Sequence, residues 1–469
     1  MADLLRTWPR RLLARPWLLV FVPINAATAG FGVVLPLLIL ISLHGTWGDV
    51  ALAATLFNAA VILSSIAWGH WADRFPARRL FLVINYGGYA VLYAVLPHVG
   101  SLGVLLAVYT VIGLVAPAGT SASNLLILEK FSAAERPNAY ASFQEMSMIG
   151  SVLGLLLGYF WTVAGDALLS LVWVLAALAA ASALAIWFGI READRPATTR
   201  DVAKHADSLA SRLRVSAALR IAIPFFPRRP RVVRGAIARF RLWVAEELHH
   251  ELPLILVAGF LFNLSANLYN ISYTPYLYSA GLTASAIFLV NGANNFAQTL
   301  VYPITGGLAN RFGSDRVVRL STYFRSLGYL ATVGFTVVAL SREATLDANL
   351  IVYALLGTAI AIYTTASSLL LFRGLERRDA GSLLGVNSAL GGVAAVAGAG
   401  LSGLLSVLGS FRLVFLVAGL SLLASVPIWA AASVAYQKRR SRAVGPGDPA
   451  TVPVAPERPR ESAAAAKPH

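Results

Sequence analysis

Residues 69–75 read GHWADRF and residues 306–312 read GGLANRF. Each stretch opens on glycine and closes on Arg-Phe. Each also ends an apolar run long enough to cross the roughly 30 Å hydrocarbon layer of a bilayer, which takes about 20 helical residues. The two copies lie 237 residues apart. The connection ERPNA at 135–139 returns as ERRDA at 376–380, and Asn25 returns as Asn263, at offsets of 241 and 238. Three landmarks at nearly one spacing mark a duplicated unit.

Outward from these landmarks, twelve apolar runs with few charges cover 17–42, 50–69, 80–97, 102–128, 139–164, 167–190, 252–278, 284–309, 317–340, 348–372, 382–408 and 412–436. The break at 191–251 leaves six runs on either side. The sequence therefore predicts an all-α polytopic membrane protein, with twelve transmembrane helices in two pseudo-symmetric six-helix bundles about an axis along the membrane normal. Its expected segments are a basic leader at 1–16, bundles at 17–190 and 252–436, a cytoplasmic linker at 191–251 and a disordered Pro- and Ala-rich cytoplasmic tail at 437–469.

Composition agrees. Of 469 residues, 57% are hydrophobic and 13% charged, against roughly 25% charged in a soluble globular chain. A water-soluble enzyme is excluded on that ground. The absence of cysteine removes disulfides, thiolate nucleophiles and zinc-thiolate sites. The formal net charge of +16 would suit a nucleic-acid binder, but the placement of the charges does not. With the amino terminus taken as cytoplasmic, 36 of the 38 Lys and Arg fall on that side, and only Arg342 and Arg412 on the other. That is the positive-inside pattern of a multi-pass plasma-membrane protein with both termini cytoplasmic. The bases are strewn over short loops and form no nucleic-acid surface. This count puts Arg311, Arg316, Arg319 and Arg325 together on the cytoplasmic side.

The segment RVVRGAIARFRLWVAEELHHE at 231–251 is basic first and acidic last. It reads as an amphipathic helix on the anionic cytoplasmic leaflet, with Phe240, Leu242 and Trp243 in the interface, or alternatively as a site for a regulatory partner.

GHWADRFPARR, Gly69 to Arg79, resembles the signature between the second and third helices of the major facilitator superfamily, Gly-x-x-x-Asp-Arg-x-Gly-Arg-Arg, and Gly306 to Arg316 resembles a degraded second copy. The resemblance spans 17–436. Pro76 stands where the second glycine is expected, Ala77 displaces the first basic position, and Asn310 replaces the acid. The resemblance implies a secondary transporter whose helices 1, 4, 7 and 10 line a cavity while 3, 6, 9 and 12 lie outside, with the signature packed beside helix 11. In that setting Gly69 and Gly306 would allow close helix approach, and Asp73 would favour the positive end of a neighbouring helix. Arg74, Arg78 and Arg311 would pair with loop acids such as Glu129, Glu135 or Asp379 to form a latch. Obedience to the positive-inside rule is the plainer reading of these arginines.

Polar residues on helical faces give the candidate solute site. Asn263, Asn267, Asn270 and Thr274 make one stripe on helix 7, and Asn291, Asn294, Asn295, Gln298 and Tyr302 make another on helix 8. Asn25 and Thr28 on helix 1, Asn124 on helix 4, and Tyr363 and Thr364 on helix 10 complete the set. Unpaired amides are costly in hydrocarbon, so these faces should meet protein or water. No cavity Arg or Lys is evident, which favours a neutral or amphipathic organic solute.

Glu145 is the carboxylate set clearly inside a span, and it reads either as a gate partner for Arg311 or Arg316 or as a proton-coupling site. Gly150, Gly154 and Gly158 in helix 5 allow close helix contact and partly resemble a signature of proton-coupled drug exporters. Pro36 and Pro275 should bend helices 1 and 7 near the outer side. Together these features predict a monomeric secondary transporter using no cofactor, no metal and no catalytic residues, in which protons drive export. Sugar-like uptake and a non-transporting sensor on the same fold are the alternatives.

Overall fold

The computed structural model describes residues 16–75, 77–130, 136–190, 251–338, 340–374, 380–408 and 410–443. The linker helix expected at 231–251, apart from Glu251, and the tail from residue 444 lie outside the described residues, as do the side chains of Asp73, Arg74 and Asn124.

Among the described residues twelve long helices follow one another. α1 spans Trp17–Ser42, opening as a 3-10 turn at Pro16–Phe21 and closing as a π turn at Leu38–Ser42. Pro36 explains that wide last turn, because its ring removes a backbone donor and displaces the carbonyl one turn earlier. α2 is Trp47–Arg74, α3 Arg78–Val95, α4 Leu102–Lys130, α5 Arg136–Val163 and α6 Leu168–Gly189. α7 is Glu251–Ser279, α8 Ala284–Phe312, α9 Ser314–Val337, α10 Arg342–Gly374, α11 Ala380–Val407 and α12 Phe411–Ala443. Thr46 begins α2 with a capping box, its side chain accepting from the Asp49 amide while Asp49 Oδ2 accepts from the Thr46 amide at 2.7 Å. Pro275, expected to bend α7, sits inside a helix that continues unbroken to Ser279.

The two halves use one packing plan. α1 packs on α5 and α6, α2 on α4, and α3 on α4 and α6. In the second half α7 packs on α11 and α12, α8 on α10, and α9 on α10 and α12. Small residues set these contacts, as is usual where lipid supplies no hydrophobic drive between helices. A Cβ on Gly154 of α5 would strike the Ala26 carbonyl of α1, and one on Gly398 of α11 would come within 2.6 Å of the Leu264 carbonyl of α7. The same pairing joins Gly113 of α4 to Phe57 of α2 and Gly357 of α10 to Asn294 of α8. Each second contact repeats the first one repeat length on, so the duplication read from the loops also runs through the cores.

Ten of the twelve helices are apolar enough to span a membrane by length and hydropathy; α8 and α9 are the two that fall short. Large apolar side chains such as Val91 and Phe188 stand exposed on the outside, where lipid would cover them.

Candidate substrate cavity

The end of the molecule where α1 begins and α2 ends carries most of the described basic residues, and is here termed the basic end. Between the bundles, at mid-depth, lies a cavity of about 440 Å³, walled by α1 and α5 on one side and by α7, α8, α9 and α10 on the other.

α8 supplies most of its polarity. Asn291, Asn294, Asn295 and Gln298 follow helical spacing and share one face. Asn294 donates to the Tyr353 carbonyl of α10 at 2.8 Å, and Gln298 donates to Asn294 Oδ1 at 2.7 Å. Asn291 and Asn295 donate to the carbonyls one turn back. α7 adds the exposed Asn270 and the buried Thr274, and α1 adds Thr28 and Gly32. A Cβ on Gly32 would meet nothing within 4 Å among the described residues, so this wall is set back.

α9 supplies the one charge among the described lining residues, Arg325. The residue is 3% exposed. It lies eleven residues past Ser314, roughly 16 Å from the basic end of α9 at 1.5 Å per residue. Its Nε donates to the Tyr329 hydroxyl at 2.7 Å, and the guanidinium carbon sits 4.7 Å from the Phe262 ring centroid and 5.4 Å from that of Tyr329. One terminal nitrogen is buried with no hydrogen-bond partner among the described residues.

Two sequence expectations are corrected here. Arg325 does not belong to the cytoplasmic side, and helix 9 does not stay outside the cavity. The reach of an arginine side chain explains both: α9 packs behind α10 and α12, and the side chain passes inward to stand over Phe262 of α7. The expectation of a cavity without a cation falls with them. A charge at this depth costs about 2.5–3.5 kcal/mol on insertion scales unless it is compensated.

The remaining expected residues are placed as follows. Thr28, Asn270, Asn294 and Gln298 line the cavity. Asn25, Asn263 and Asn267 do not; each amide donates to the carbonyl four residues back in its own helix, at 2.7, 2.8 and 2.9 Å. Tyr363 is stacked on Phe262 with ring centroids 3.4 Å apart, and Thr364 meets the Tyr302 hydroxyl at 3.1 Å. Glu145 is half-buried in α5. Of the latch, Arg78 donates to the Phe75 carbonyl at 3.2 Å and the Arg311 guanidinium lies 5.4 Å from the Phe312 ring centroid. Gly69 and Gly306, expected at close helix contacts, have no neighbour within 4 Å of an added Cβ among the described residues. Lys130, where α4 ends, lies 5.0 Å from the Trp17 ring centroid, and burial pulls its amine below the ordinary lysine value. Arg325, Tyr329, Tyr353 and Ser151 are cavity residues that the polar-stripe argument missed.

Among the described residues, the close contacts between the bundles run from the middle of α2 to the end opposite the basic one. α2 packs on α11 and α5 on α8. Trp47 donates its indole N–H to Ser402 Oγ at 3.3 Å and stacks on Phe411 with centroids 4.2 Å apart. Gly158 of α5 abuts the Phe288 ring of α8, and a Cβ on Gly48 would lie 2.9 Å from Ser406 Oγ. A run of touching rings joins this contact to the cavity wall: Tyr353, Tyr273, Tyr276 and Phe411, with centroids 4.2, 6.2 and 5.9 Å apart along the chain.

The profile of the Major Facilitator Superfamily matches residues 17–245 and 255–464. No curated protein matches the chain in a sequence comparison. Among solved structures, one on substrate recognition in proton dependent oligopeptide transporters superposes with a TM-score of 0.65 at 12% identity, covering 92% of this chain and 100% of that one. The nucleoside transporter NupG superposes with a TM-score of 0.64 at 12% identity over 91% of this chain and 99% of its own, and a mutant of it with 0.60 at 10% identity over 90% and 99%.

Proposed function

Because the chain belongs to the Major Facilitator Superfamily, and is thus a membrane transporter and not an enzyme, we propose that it moves a small organic solute by alternating access, with the interbundle cavity as the solute site. One observation carries the reading: a polar chamber at mid-depth lies between two like-packed bundles that are clasped at one end, while Gly69 and Gly306 at the other end have no close neighbour among the described residues. Rocking about such a chamber would expose it to each side in turn. The positive-inside distribution makes the basic end cytoplasmic and the conformer inward-facing. Neutral amides on α8 suit a solute recognised by hydrogen bonds, which accords with neighbours named for nucleosides and oligopeptides.

We further propose proton-coupled export, with Glu145 as the coupling or gating carboxylate. Its place in the Ser142–Val163 span supports this, as does the glycine spacing of α5. The test is flux of uridine, a dipeptide and a drug-like cation in proteoliposomes, with and without an imposed pH gradient. Solute accumulation driven by the gradient in the wild type and lost in Glu145→Gln is expected. Undiminished gradient-driven flux in Glu145→Gln removes the coupling role, and absence of flux for a solute that binds removes the transport role.

A further inference from the structure

Arg325 is compensated on some sides and unpartnered on another among the described residues. Its Nε is engaged by the Tyr329 hydroxyl at 2.7 Å, and its carbon stands over the Phe262 and Tyr329 rings. Ring faces attract the charge but accept none of the terminal N–H donors. One terminal nitrogen is buried with no acceptor among the described residues, and the side chain lies on the cavity wall. No carboxylate lines that wall among the described residues.

The repeat supplies a second, independent observation. Arg79-Leu80 and Gly88-Tyr89 of α3 return as Arg319-Leu320 and Gly328-Tyr329 of α9, with Gly88 packed on Val115 of α4 and Gly328 on Leu356 of α10, so at this offset of 240 the position matching Arg325 is Asn85. Asn85 donates to the Val115 and Ala116 carbonyls of α4 at 2.9 and 3.4 Å. Four residues on, Tyr89 answers to Tyr329. A neutral amide therefore satisfies this place in the fold, and nothing in the packing plan requires a cation there. The charge in α9 is additional, and it faces the chamber.

We propose that the solute carries one negative charge, a carboxylate, which docks on the terminal nitrogens of the Arg325 guanidinium while the α8 amides bind the remainder. This rests on the cavity being the solute site. A carboxylate matches the planar N–H pair of arginine, and its single charge matches the single cation of the wall. A phosphate dianion would leave one charge unmatched among neutral amides.

The test uses purified full-length protein, in melting titrations with benzoate, 4-hydroxybenzoate and N-acetylphenylalanine, each against its neutral primary amide, and with inorganic phosphate. At least one carboxylate should half-saturate at a concentration about tenfold below that of its amide. That ratio should fall to about one in Arg325→Gln and persist in part in Arg325→Lys, which keeps a charge. Ligand-free Arg325→Gln should melt no lower than the wild type, since it loses a buried, uncompensated charge, whereas a merely structural arginine would lower it. The proposal is overturned if no carboxylate shifts melting at about 10 mM, if amides bind as well as carboxylates, if the preference survives in Arg325→Gln, or if phosphate binds more tightly than every carboxylate. Flux separates it from the transport reading. A carboxylate that binds through Arg325 yet never crosses proteoliposomes refutes transport alone, while flux of an amide without carboxylate preference refutes the anion site alone.

Discussion

Asn85 and Arg325 occupy equivalent positions in the two halves, 240 residues apart, each one turn before a tyrosine. Asn85 is 3% exposed and spends its amide on the α4 backbone; Arg325 is equally buried but turns toward the chamber. The duplication has thus kept the backbone setting and divided the tasks, with packing in one half and charge in the other.

Asn85→Ala should lower stability by about 1–3 kcal/mol, because two α4 carbonyls lose a buried donor. Solute affinity should be unchanged, since Asn85 is not among the cavity residues. Melting and binding titrations on the same sample check both halves of this expectation.

Gly154→Ala should lower stability by about 1–3 kcal/mol, since the new methyl meets the Ala26 backbone and α1 cannot yield without leaving α5. Gly69→Ala, with no neighbour within 4 Å among the described residues and in a helix interior, should leave stability unchanged or raise it slightly. Equal melting temperatures for the two variants would contradict the packing described for α5.

The cysteine-free sequence makes single-cysteine labelling clean. Asn270→Cys should react with a membrane-impermeant maleimide much faster in inverted vesicles than in right-side-out ones. Ser265→Cys, at 0% exposure, should resist from both sides. Faster labelling of Asn270→Cys from the outer side would reverse the assignment of the open end.

Gly48→Cys with Ser406→Cys places two thiols across the clasp between α2 and α11, where an added Cβ lies 2.9 Å from the serine oxygen. Mild oxidation should form the bond and stop solute flux, and reductant should restore it. Full flux in fully cross-linked protein would mean that this contact need not part during transport.

The architecture was legible because the two loop signatures and the long break sit at places a duplicated bundle must keep. The solute site was legible in part. A polar stripe identifies the face of a helix but not how much of its length meets the chamber: on α7, Asn270 and Thr274 reach the cavity, whereas Asn263 and Asn267 fold their amides back onto their own helix. Arg325 does not stand out in the sequence because it follows Arg311, Arg316 and Arg319, and proximity alone groups it with them on the cytoplasmic side. The signal that finds it is the pair of matches Arg79-Leu80 with Arg319-Leu320 and Gly88-Tyr89 with Gly328-Tyr329, which set it against Asn85 well inside α3. α8 and α9 miss the hydropathy expected of a span, and both reach the cavity, so low apolarity in these two helices marks function and not a missing crossing.

The ring chain from Tyr353 to Phe411 and Trp47 has an electrical consequence. Tyr273, Tyr276 and Phe415 are 1%, 4% and 0% exposed, so the far end of the chamber is stoppered by closely packed aromatic rings. Ions shed hydration only at great expense in such a medium. A vesicle studded with this protein in its resting conformer should hold a membrane potential as well as bare lipid does, and a leak would mean that Trp47 had parted from Phe411 while the basic end still stood open.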